Sequence, residues 1–281
     1  MVTLPAMGQT DDFGELHALL HGAGGRYHSA RATVVHTVDA AVAQEANRRF
    51  VDWRFAGGSP GMGIIGKPGP PEPEDFYHDY EDSEGRVRLW HERPDSWREE
   101  VYDARGRLEE AEVYAASGGP RWTYTRYEPH RRTYRATYMP ELPKSQNPQM
   151  RFSSMLDPST YMFSETFWDG ATVFKTGREM PFTGRECLEV RAETVSWGYP
   201  PEVFRIYGAH NEGATDYLLL VDREVGTILR VAARLDGREF RVGEVREISY
   251  NEGFPRDTFR LELPDVEFKR FELPDHERRS R

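Results

Sequence analysis

The sequence predicts a mainly β fold of the α+β class, in which one large curved antiparallel sheet forms a half-open barrel of about eleven strands. Short segments rich in Trp, Tyr and Val, separated by turn residues, follow one another from residue 85 to residue 263. Helical periodicity is confined to three short stretches. Strands do not alternate with long helices, which argues against a parallel α/β sheet. We therefore expect helices to cover the concave face of the sheet.

The three helical stretches are residues 11–22, 40–55 and 152–163. In the first, Asp12 and Glu15 have capping-box spacing. The second repeats apolar residues at the spacing of one helical face. A strand is predicted between these two helices. Its apolar face carries Ala30, Ala32, Val34, His36 and Val38.

The remaining strands form two groups joined by Pro-containing connections. We expect strands over 87–91, 97–103, 109–116, 121–127, 132–138, 171–176, 186–192, 216–222, 227–235, 239–250 and 258–263. Asp236-Gly237 lies between two of them and is a strong signal for a tight hairpin. We interpret residues 1–265 as a single β domain with an insertion at 40–84, followed by a charged tail over 266–281.

The insertion combines a helix with a Gly/Pro-rich loop. Residues 57–75 contain six Gly and five Pro, which predicts a loop or flap without regular structure. Gly61-Met-Gly63-Ile-Ile-Gly66 formally matches a GxGxxG nucleotide motif. Pro60 before it and Pro68 after it prevent the helix that such a motif requires. We therefore expect no nucleotide site there.

Composition and charge exclude several function classes. The chain has 37 basic and 47 acidic residues, a formal net charge of -10. An acidic protein lacks the basic surface that nucleic-acid binding needs, so no nucleic-acid partner is expected. No apolar run is long enough to span a membrane. The sequence shows no signal peptide, and its single cysteine fits a reducing compartment, so the chain as written is expected to be cytoplasmic.

Few residue patterns point to catalysis or to a metal. His17 and His21 have the i, i+4 spacing of a metal pair, but no HExxH motif accompanies them. Cys187 has acidic neighbours, which raise a thiol pKa and make a poor nucleophile. Acidic residues are abundant without the spacing that identifies a catalytic pair. We expect no catalytic residue, no metal and no cofactor.

Aromatic residues give a more specific signal. Trp97, Trp122 and Tyr124 lie at alternating strand positions. They form ordinary core if both faces of the sheet are covered, or they line a cavity between the curved sheet and its helical cover, where apolar pockets usually bind ligands.

The order of several short motifs resembles the LolA/RseB-like superfamily of lipoprotein carriers, lipid-binding lipoproteins and anti-sigma regulators. The likeness covers roughly residues 10–39 and 85–265. The motifs that carry it are Ser29–Val38 after Leu16–Leu20, Pro94-Asp95-Ser-Trp97-Arg98, Gly118-Gly-Pro-Arg-Trp122-Thr-Tyr124, Gly184-Arg-Glu-Cys-Leu-Glu-Val190, Leu219–Asp222 with Gly226, and Phe259 before Pro264.

This resemblance implies a half-open barrel with an apolar cavity under its helices, and a family that is usually exported and generally not enzymatic. The leading hypothesis is therefore a non-enzymatic protein that binds a lipid, acyl chain or lipidated peptide. The cavity-lining candidates are Val34, His36, Trp90, Trp97, Trp122, Tyr124 and Leu219. The alternatives are a regulatory protein-interaction module that binds a protein partner through residues 40–84, and a hydrolase that uses His36 or a buried acid.

Overall fold

The residues that the structure describes form one open sheet of twelve strands. The computed structural model describes residues 10–56, 77, 79–115, 119–127, 133–140, 152–158, 172–194 and 213–271. The strand order is β12-β6-β5-β4-β3-β2-β1-β11-β10-β9-β8-β7, and all neighbours are antiparallel except β12 and β6. The predicted fold class, a large curved antiparallel sheet with helices, is confirmed.

The sequence produces these elements where its apolar periodicity changes. The helices are α1 (Thr10–His21), α2 (Ala40–Phe55) and α3 (Ser153–Leu156). The strands are β1 (Ser29–Val38), β2 (Ser83–Glu92), β3 (Ser96–Tyr102), β4 (Leu108–Tyr114), β5 (Arg121–Tyr127), β6 (Thr133–Met139), β7 (Thr172–Phe182), β8 (Arg185–Thr194), β9 (Asp216–Asp222), β10 (Ile228–Leu235), β11 (Arg238–Tyr250) and β12 (Lys269–Arg270). The predicted flap at 57–75 lies outside the described residues.

The first and the last long strands meet in the middle of the sheet. β1 pairs with β11 on one side and with β2 on the other, so that the remaining strands extend outward as two meanders. At the β10–β11 turn, Asp236 and Gly237 both have positive φ, 51° and 82°. This is the backbone geometry that the Asp-Gly hairpin signal predicts.

One face of the sheet, here called the inner face, is covered by the helices. Because the side chains of paired residues lie on the same face, the register defines rows that cross the sheet. One row passes from Val34 through Val87 and Val101 to Glu110 and Thr125. Along this row the inner face is apolar at β1, β2 and β3 and polar from β4, whereas a second row continues from Trp97 to Tyr114 of β4, which belongs to the helix-covered core.

On the opposite, outer face the side chains change from charged at β2 and β3 to apolar from β4 to β6. Arg88 pairs with Glu100, which pairs with Ala111, then Tyr124 and Ala136. Toward β6 this face is apolar, and residues 251–271, here called the C-terminal strap, cover it. The outer-face cluster consists of Trp90, Leu108, Ala111, Val113, Ala115, Trp122, Tyr124, Phe254, Phe259, Leu261, Leu263 and Phe268. The sheet thus buries its inner face on one half and its outer face on the other.

The strap corrects two sequence predictions. Residues 258–263 are not a strand, because Thr258 and Arg260 donate their backbone N–H groups to residues three positions earlier, as in turns. Their alternating pattern arises because Phe259 and Leu261 pack on the sheet. The predicted tail from residue 266 also contributes to the fold, since Lys269–Arg270 pair with β6 as β12.

Candidate ligand-binding face

The apolar part of the inner face runs from β8 across β9, β10, β11 and β1 to β2. Val34 and Leu219 lie in its centre and are 0% and 1% exposed. The helical side chains that cover the face are Leu16, Leu19 and Leu20 of α1, Val42, Ala43 and Ala46 of α2, and Met155 and Leu156 of α3, with Phe152 just before α3. The part of the cover that the structure describes is thus made of three separate segments.

Helix α1 is held to the rim of the sheet by polar contacts. Arg26 donates to the carbonyls of Leu19 and Val225, at 3.2 and 3.3 Å. Arg223 pairs with Glu15 at 2.8 Å. The underside of the helix is apolar, so α1 combines an apolar contact with a polar rim.

Helix α2 is built in the same way. Asp39 caps its first turn by accepting from the Val42 N–H at 3.1 Å. Glu45 pairs with Arg238 at 2.6 Å, and Arg49 pairs with Asp236 at 2.7 Å. Both partners belong to the β10–β11 hairpin, so exposed ion pairs join α2 to the edge of the inner face. Exposed pairs of this kind stabilise weakly and are screened by salt.

The α3 segment is fixed by buried hydrogen bonds. Glu99 of β3, which is 5% exposed, accepts from the Phe152 N–H at 2.9 Å. Tyr27 donates its hydroxyl proton to the Leu156 carbonyl at 3.1 Å and lies 2.8 Å from Nδ1 of His91. Because Tyr27 has only one hydroxyl proton, Nδ1 of His91 carries the proton in that second hydrogen bond.

His91 is a buried neutral base. Its ring stacks on Trp97 with centroids 3.5 Å apart, and burial lowers its pKa from 6.5 to about 4. Burial also raises the pKa of Tyr27 well above its usual value, and Asp157 contributes in the same direction. At neutral pH the Tyr27 hydroxyl and the His91 ring are therefore both uncharged, which suits the floor of an apolar site.

The structure brings four of the seven predicted cavity residues together on the inner face. Val34, Trp97 and Leu219 belong to the helix-covered core, and the His36 ring lies 5.7 Å from that of Phe152. The other three are on the outer face under the strap. They are Trp90, Trp122 and Tyr124. The seven residues thus lie on two opposite surfaces.

Four residues that shape the inner face are not identified by sequence patterns, namely Tyr27, His91, Glu99 and Phe152. The sequence of β2 does indicate on which face His91 lies. Val87, Leu89 and His91 alternate with Arg86, Arg88 and Trp90, which places Trp90 on the charged face of that strand. The contribution of Phe152 could not be inferred, because it depends on a long-range contact with Glu99.

Groups that could hold a metal or act as a nucleophile are scarce. Within the part of the chain that the structure describes, no cluster of three or more His, Cys, Asp or Glu side chains could hold a metal. Burial raises the pKa of Cys187 to about 11, and Asp222 adds to the shift. Burial, more than the acidic sequence neighbours, thus makes this thiol a poor nucleophile.

No protein-family model and no curated protein matches the sequence. Among solved structures, the Pseudomonas aeruginosa MucA/MucB complex matches at 12% identity and a TM-score of 0.46, covering 89% of this chain and 61% of that one. The Mycobacterium tuberculosis lipoprotein LppX matches at 9% identity and a TM-score of 0.42, covering 88% and 100%.

A LolA superfamily protein from Nitrosomonas europaea also matches, at 9% identity and a TM-score of 0.27, covering 87% of this chain and 96% of that one. At these identities and TM-scores the likeness is to the fold of those structures alone. None of the helices described here has the length and apolar character needed to cross a membrane.

Proposed function

We propose that the protein is a non-enzymatic binding protein that holds an apolar ligand, such as a lipid or acyl chain, between the inner face and α1, α2 and α3. One observation carries the proposal. Among the described residues, the apolar face is covered by three separate helical segments and not by a second sheet, and exposed ion pairs join two of them to the rim. Such a cover can separate from the sheet without breaking strand pairing.

The physical driving force would be burial of apolar surface. Each Å² of apolar ligand surface removed from water contributes roughly 25 cal/mol, so an acyl chain gains several kcal/mol before the costs of association. The described side chains close this face, since Val34 and Leu219 have almost no exposure. Binding therefore requires α1 or α2, the two segments joined to the rim by exposed ion pairs, to move outward, and the ligand would take the place of their apolar contacts.

A pair of substitutions on neighbouring residues of β1 tests the proposal. Val34→Phe adds volume to the inner face, whereas Val35→Phe adds it to the outer face, where Val35 lines a cavity of about 150 Å³. In titrations with a fluorescent fatty-acid probe, Val34→Phe should weaken binding at least tenfold. Val35→Phe should bind like the wild type.

Thermal unfolding should first show that both variants fold, because overpacking costs about 1–3 kcal/mol. Equal binding by the two variants would place the probe elsewhere and refute the inner-face site. A wild type that binds no apolar probe would refute the proposal as a whole.

A second candidate function is protein-partner binding through residues 40–84. Two exposed aromatic side chains favour it: Phe55 is 38% exposed and Tyr77 is 42% exposed. The Tyr77 hydroxyl donates to Asp52 of α2 at 3.2 Å, which fixes this residue beside the helix. If this surface binds a partner, Phe55→Ala with Tyr77→Ala should abolish its capture and leave probe binding unchanged. Loss of probe binding instead would assign these residues to the lipid site.

A further inference from the structure

We propose that the outer face carries a separate binding site, which takes a phosphate monoester. The site is the cavity of about 150 Å³ between β1, β2 and the β3–β4 turn. It goes beyond the proposed function, because it lies on the opposite side of the sheet from the helix-covered face. The side chains that line it are Val35, Glu84, Arg86, Arg88, Tyr102 and Asp103.

The strand register brings two arginines to this cavity. Arg86 of β2 pairs with Val35 of β1 on one side and with Tyr102 of β3 on the other. Arg88 lies two residues further along β2. Side chains two residues apart on a strand point to the same face and are about 7 Å apart. Both guanidinium groups can therefore reach one small ligand.

The carboxylate nearest to these arginines is already engaged. Glu100 lies opposite Arg88 in the register, but it pairs with Arg98 at 2.5 Å and accepts from the Tyr102 hydroxyl at 2.6 Å. Arg88 instead stacks over the Tyr102 ring, with Cζ 5.3 Å from the ring centroid. Neither Arg86 nor Arg88 forms an ion pair with a carboxylate among the residues that the structure describes. A stacked guanidinium keeps the N–H groups at its edge available as donors.

The two carboxylates of the lining leave the cavity with a positive balance. Asp103 accepts from the backbone N–H groups of Arg105 and Arg107, at 2.9 and 2.8 Å, and pairs with the Arg107 side chain at 2.6 Å. Its charge is therefore compensated within the β3–β4 turn. Glu84 is the other carboxylate, so two arginines face one acidic side chain that has no such partner in the turn. This balance favours an anion.

The number of donors selects among anions. A guanidinium fork binds carboxylate or phosphate oxygens in pairs, and two forks offer more donors than the two oxygens of one carboxylate can use. A phosphate monoester has three terminal oxygens and a charge of about -1.5 to -2 at neutral pH. A cavity of this volume accommodates a group of about the size of benzene, which suffices for a phosphate on a short organic stem.

Titration calorimetry of the full chain with glycerol 3-phosphate tests the site. The wild type should bind, and Arg86→Gln should weaken binding at least tenfold, the factor expected for one hydrogen bond between charged groups. Val35→Phe fills the cavity and should have a similar effect. Arg105→Gln is the matched control, because Arg105 is exposed on the same turn but does not line the cavity. This variant removes the same charge and should bind like the wild type.

The source of the phosphate is tested with phosphatidylcholine vesicles that contain phosphatidic acid, which presents the same group on a lipid. Sedimentation with these vesicles that is lost in Arg86→Gln would assign a lipid head to the site. Binding of glycerol 3-phosphate without such sedimentation would assign a soluble phosphate monoester.

Three results would overturn the inference. They are a wild type that binds neither form, equal losses in Arg86→Gln and Arg105→Gln, and equal binding of glycerate, which carries a carboxylate in place of the phosphate. None of them bears on the proposed function, because binding of the fatty-acid probe to the inner face is measured separately.

Discussion

Phe259 packs the C-terminal strap against the outer face of the sheet. It is 9% exposed, and its ring meets that of Phe254 edge-on at 5.9 Å. A phenylalanine buries roughly 150 Å² or more, and at about 25 cal/mol per Å² its removal costs about 3–4 kcal/mol. Phe259→Ala should therefore lower the free energy of unfolding by about 3 kcal/mol, allowing for some collapse of the strap.

Urea unfolding followed by tryptophan fluorescence measures this loss. With an m value of about 3 kcal/mol/M for a chain of this size, the midpoint should fall by about 1 M. Phe271→Ala is the matched control, because Phe271 belongs to the same strap but is 48% exposed, and its loss should cost less than about 1 kcal/mol. If both variants lose the same stability, the strap does not cover an outer-face core.

Two further predictions concern α1 and the buried histidine. Gly226 has φ +89°, and a Cβ there would lie 2.1 Å from the Leu19 carbonyl oxygen. Gly226→Ala should thus lower the melting temperature clearly more than Gly106→Ala. At Gly106 φ is +73°, and nothing lies within 4 Å of the position of an added Cβ. Equal losses would mean that α1 does not pack on this turn. His91 has a folded pKa of about 4, below its unfolded value of 6.5, so its stabilising contribution is complete above pH 6.5 and decreases by about 1.4 kcal/mol per pH unit as pH falls toward 4. In urea unfolding at several pH values, His91→Gln should flatten this dependence and exposed His28→Gln should not; the same slope in both variants would contradict the assignment.

The strands were predictable because their side chains alternate strongly. In β2, buried Gly85, Val87, Leu89 and His91 alternate with more exposed residues, and this pattern can be recognised from the sequence alone. Helix α2 was also predictable, with the same bounds that its apolar spacing indicated. Of the predicted helix over 152–163, the structure describes residues 152–158, in which α3 covers Ser153–Leu156 and Pro158 is again helical; residues 159–163 lie outside the described residues.

The exchange of buried faces between the two halves of the sheet was not predictable. Alternation within one strand shows which residues share a face, but it does not identify which face is covered. Which face a residue lies on depends on how its strand is paired with the next one. The register shifts at Thr33/Val34 and Val101/Tyr102 change this pairing. For this reason Trp97 and Trp122 were expected in one cavity although they lie on opposite faces.

Residues 258–263 of the strap have the sequence pattern of a strand for a related reason. Phe259, Leu261 and Leu263 alternate because every second side chain packs on the sheet, and this produces the same period as strand pairing. What holds the backbone instead is Arg98, whose guanidinium donates to the carbonyls of Thr258 and Arg260 at 2.7 and 3.2 Å. No local pattern could reveal this contact across about 160 residues of sequence.

The proposed function requires that an apolar molecule can occupy the inner face. The decisive measurement is native mass spectrometry of freshly purified wild type and Val34→Phe, followed by organic extraction and identification of any released compound. We expect a lipid-like molecule bound to the wild type and depleted in Val34→Phe. A wild type free of any such molecule, and unable to take up an added one, would show that the inner face is closed core and would contradict the proposed function.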